Sequence, residues 1–158
     1  MSVIGIELAM KHLLAEPEDQ DLVQAQLDAA EEACMQFLQR RFFADQASLN
    51  LARQNTLQRT RDARAAYLAA KATAGLPENY DVRGRLCDSA RQVLADAYEE
   101  IDMDEHGIVI NPAISAAALL KLGHLFANRE EVVTGTIATE LPLASKSLLM
   151  PYRVRMGV

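Results

Sequence analysis

Three features of the 158-residue chain predict an all-α fold. Half of the residues are apolar, yet only 5% are aromatic and there is no Trp. Alanine supplies much of the apolar half, which favours closely packed helices over a bulky sheet core. Val, Ile and Thr are scattered, and no Asn-Gly or Asp-Gly pair interrupts an alternating run. The length fits one domain with room for a modest insertion.

The first helix is predicted from about Gly5 to Ala15, where Ile6, Ala9, Met10, Leu13 and Leu14 form one apolar stripe. Glu16-Pro17-Glu18-Asp19 breaks it, and Asp19 or Asp21 offers the next N-cap. A second helix should reach about Arg40. Leu22, Val23, Leu27, Ala30, Cys34, Phe37 and Leu38 share one of its faces, while Glu31, Glu32 and Gln36 fall mostly on the other. Arg40 and Arg41 suit the negative pole at its end.

A third helix is predicted from about Gln46 to Ala74, stopped by Gly75 and then Pro77. A turn through 78–81 leads to a fourth helix from about Val82 to Ile101, closed by 102–107. Charge is segregated between the two. Arg53, Arg59, Arg61 and Arg64 make the third basic; Asp96, Glu99, Glu100, Asp102, Asp104 and Glu105 make the end of the fourth acidic. Folded back antiparallel, the pair brings 53–64 opposite 93–104, so charge pairing would align the hairpin more than stabilise it. A second fate for the basic stripe is a partner's acidic surface or DNA.

Asn111-Pro112 starts a fifth helix, apolar through Ala113, Ala117, Leu120, His124 and Leu125 and closing on Asn128-Arg129-Glu130-Glu131. His124 is expected as a core or interface histidine. A loop with Thr134-Gly135-Thr136 follows, then Leu141-Pro142-Leu143. The stretch Leu148-Leu149-Met150-Pro151-Tyr152 is too apolar for a free tail. It should dock on its own core or on a neighbouring subunit, unless Tyr152–Arg155 forms an extended arm that adds to another chain.

Catalytic patterns are missing. An all-α pyrophosphohydrolase needs Glu-Glu-x-x-Glu and a later Glu-x-x-Asp to hold Mg²⁺. Glu31-Glu32 is followed by Met35 and Gln36, and Glu99-x-x-Asp102 lies in an acidic run at a helix end. His12, His106 and His124 have no metal spacing, and no phosphate loop or nucleophile elbow occurs. Cys34 and Cys87 have no paired partner and are expected as buried reduced thiols. No enzyme, cofactor or metal is expected.

The formal charge of -6 argues against a dedicated nucleic-acid binder. A wall lining a DNA passage, by contrast, gains from not gripping phosphates. There is no basic leader ahead of an apolar core, and no run approaches the ~18 apolar residues that span a bilayer. The expected setting is a cytoplasm, or something assembled in one.

The order Asn-Pro, alanine- and leucine-rich helix, Asn128-Arg129-Glu130, Gly loop, Leu-Pro, then Leu148-Leu149-x-Pro151-Tyr152-Arg153 resembles the small head–tail connector proteins of long-tailed phages. The opening short helix, acidic break and longer helix ending Phe37-Leu38-Gln39-Arg40 resembles them too, whereas the stretch from about Phe42 to His106 is far longer than theirs. The resemblance covers roughly 1–41 and 107–153. It implies a helical core from 1–43 and 107–158 carrying an inserted hairpin at 44–106.

What the resemblance further implies is a virion neck protein assembled in the bacterial cytoplasm as a ring of about a dozen subunits. One face would meet the portal and the other the next neck protein, with DNA passing through unread. Asn128, Arg129, Glu130, Leu148, Leu149, Tyr152 and Arg153 would then serve subunit or partner contacts. The competing expectation is a helical cytoplasmic interaction module dimerising through the 44–106 hairpin.

Overall fold

The computed structural model describes residues 2–76, 80–128 and 143–154. The chain is all-α. Six α-helices occur among the described residues: α1 (Ile6–Leu13), α2 (Gln20–Leu38), α3 (Gln46–Ala74), α4 (Tyr80–Glu105), α5 (Pro112–Ala127) and α6 (Leu143–Leu149). Short 3₁₀ turns at Pro17–Asp19 and Met150–Tyr152 join or extend them. The chain divides into two compact units, one of Met1–Asp45 with Ile108–Val158 and the other of Gln46–Gly107.

In the first unit α2 packs on α5, α1 lies against both, and α6 packs on α5. Val23, Leu27, Ala30, Cys34 and Leu38 of α2 are fully buried with Ile114, Ala117, Ala118 and Leu122 of α5, Ala9 of α1 and Leu149 of α6. Small side chains let the helix backbones approach closely, so alanine here is packing material and not only a helix former. Burial lifts the Cys34 thiol pKa to about 11, so it stays a protonated core residue. Cys87 is free and half-buried.

Helix ends follow local chemistry. Asn111 caps α5 by accepting from the Ile114 N–H at 3.0 Å, with Pro112 in the first turn. Helix α1 is shorter than predicted, because Leu14 turns left-handed (φ 52) and its N–H closes on Lys11. That turn carries Leu14 off the apolar stripe and leaves it 89% exposed. Asp19 sits at the N-cap of α2 but makes no side-chain cap.

Two further expectations are corrected. Glu31, assigned to the outer face of α2, is buried. Its two carboxylate oxygens accept the N–H groups of Val3 (2.9 Å) and Ile4 (2.7 Å), partners nearly thirty residues away in sequence that helical periodicity cannot reveal. Burial pushes its pKa up from the ordinary value of 4.5, and the two N–H bonds oppose that shift. On α5, His124 is exposed and Leu120 and Leu125 partly so, while Ile114, Ala117, Ala118, Leu119 and Leu122 face the core. This helix is apolar nearly all round, so period alone could not choose its buried face.

A feature unforeseen in the sequence is a two-residue parallel pair, β1 (Phe42–Phe43) with β2 (Ile108–Val109), in register Phe42 with Ile108 and Phe43 with Val109. The Ile108 N–H donates to Arg41 O and the Ile110 N–H to Phe43 O, each at 2.9 Å. Parallel strands require a crossover connection. Here the crossover is the whole of 46–107, whose two ends are thereby pinned side by side.

The second unit is a helical hairpin. α3 has the predicted bounds, but α4 extends beyond its predicted 82–101 at both ends. Carboxylates in a last turn oppose the helix dipole, but two arginines of α3 offset this. Arg53 donates to Glu105 O (3.0 Å) and Gly107 O (3.3 Å), capping the end, and Arg59 pairs with the buried Asp104. Of the predicted turn at 78–81, residues 78 and 79 lie outside the described residues, while Tyr80 and Asp81 already belong to α4.

Replacing Glu31 with alanine strands two amide donors in the core and should cost about 2–3 kcal/mol in urea unfolding. A folded-state pKa above the unfolded one means the native state holds more protons as pH climbs past 4.5. Stability of the natural chain relative to Glu31→Gln should therefore decline in paired melts as pH rises from below 4.5 through the raised folded-state pKa.

Candidate functional site

The C-terminal arm is held on the end of α2. That helix terminates where Gln39 turns left-handed (φ 56), its N–H bonding Gln36 O and the Arg40 N–H bonding Met35 O. A second link locks the turn, Gln39 Nε2 to Gln36 O at 2.8 Å. The turn leaves the Leu38 carbonyl facing outward, one of the unpaired acceptors of a helix end.

Three contacts from the arm meet this end. The Val154 N–H donates to Leu38 O at 3.2 Å. Arg40 reaches back to donate to Tyr152 O at 3.0 Å, instead of serving its own helix end. The Arg153 guanidinium lies 5.0 Å above the Phe37 ring, a cation–π contact worth about 0.5–1 kcal/mol at an exposed site. Beneath them Leu149 is fully buried, and Leu148 and Tyr152 pack half-buried on the same core. Of the alternatives open in sequence, the arm thus takes the first, docking on its own core as a helical turn.

Asn128 caps the far end of α5: its backbone N–H (3.0 Å) and side-chain amide (2.9 Å) both bond His124 O. The amide also lies 3.1 Å from His124 Nδ1. Arg129 and Glu130 lie outside the described residues. In the hairpin, Arg61 and Arg64 are exposed on α3. Asp96 accepts from Gln92 of its own helix at 2.7 Å, and Glu99 and Glu100 are exposed. Among the described residues an ion pair from α3 to α4 joins Arg59 to Asp104, within the expected facing of 53–64 and 93–104.

Sequence reasoning named both 37–40 and 148–153 but not their contact. Arg40 was read as a dipole partner, although an arginine just past a helix end has a reach of several ångströms toward any exposed carbonyl. Among the described residues no three His, Cys, Asp or Glu side chains converge on a metal-sized site. The arrangement has the chemistry of a clamp: carbonyls, one guanidinium fork and an aromatic face.

No protein-family model matches the chain, and neither curated proteins nor solved structures provided a match.

Arg40→Ala should release the arm without opening the core. Removing this charge-assisted bond should cost about 1.5–3 kcal/mol. Amide exchange at 148–154 should accelerate while that of α2 and α5 stays slow, as read by hydrogen-exchange mass spectrometry.

Proposed function

We propose that the chain is a subunit of a phage or prophage head–tail connector. It assembles as a ring beneath the portal, closes the DNA-filled head and gives the tail its platform. One observation carries this reading. The two stretches that resemble connectors, 37–40 and 148–153, lie over a hundred residues apart and engage each other directly in one core unit. Motifs matched by chance have no reason to be mutually bonded.

The action is mechanical. A ring is a closed set of heterologous contacts, so each subunit presents two different complementary surfaces. The docked arm fixes the end of α2 and the end of α6 into one rigid element. Residues around it, Arg153 and Met150 among them, remain exposed and are available to a neighbour. A net charge of -6 suits a channel wall that lets phosphates slide past. Weak lateral contacts are reinforced when a symmetric portal raises the effective concentration of subunits.

Native mass spectrometry with negative-stain imaging across concentrations should reveal closed rings of about a dozen copies, alone or with isolated portal protein. Arg40→Ala combined with Arg153→Ala should abolish them. A concentration-independent dimer indifferent to these changes would overturn the reading in favour of a module dimerising through 44–106.

A further inference from the structure

We draw no further inference here: the strongest candidate, the half-open groove of about 570 Å³ between α3 and α4 lined by Ala63, Ala70, Leu86 and Val93, is an unpartnered apolar face, and nothing in the structure shows what covers it.

Discussion

The structure depends on the close approach of α2 and α5. Alanine, cysteine and valine at the crossing allow two helix backbones from opposite ends of the sequence to come together, and α1 and the arm pack on the ridge they make. A core of this kind draws its stability from contact density more than from large side chains. It should be intolerant of added volume, since Ala30, Ala117 and Ala118 are fully buried and a larger side chain there would press on packed neighbours. The same economy explains the scarcity of aromatics: there is no thick layer for them to fill.

Polar groups at the margins make this small core specific. Glu31 ties the start of the chain to the middle of α2, and the Leu38 carbonyl and Arg40 tie the end of the chain to its last turn. Residues 3–4 and 152–154 are thus fastened to one helix by hydrogen bonds whose partners would otherwise be left unpaired. Apolar packing alone would accept several registers of a short terminal segment; directional bonds select one.

Much of the helix pattern was legible from sequence because breakers and caps act locally. Pro17, Gly75 and Asn111-Pro112 mark boundaries within a residue or two of where they fall, and α3 was bounded correctly. What was not legible depended on distant partners. The burial of Glu31, the reach of Arg40 to Tyr152, the length of α4 past Ile101 and the pairing of Phe42-Phe43 with Ile108-Val109 all require knowing what lies nearby in space. The exposed side of α5 was missed for the opposite reason, an excess of apolar residues that erased the period. At the candidate site, the participating segments were visible as motifs, but the bonds between them were not.

The interrupted core has a consequence for how the chain is made. The first 45 residues carry an apolar stripe whose cover, α5, begins only at Pro112. The hairpin at 46–107 has near-neighbour contacts and can close early, while α1 and α2 stay uncovered until the ribosome has finished the far side. During that interval the exposed face of α2 is open to aggregation or to chaperones. Synthesis at about 5–20 residues per second leaves it bare for several seconds. In a cell making many copies at once, the hairpin that completes the crossover also sets the length of that delay.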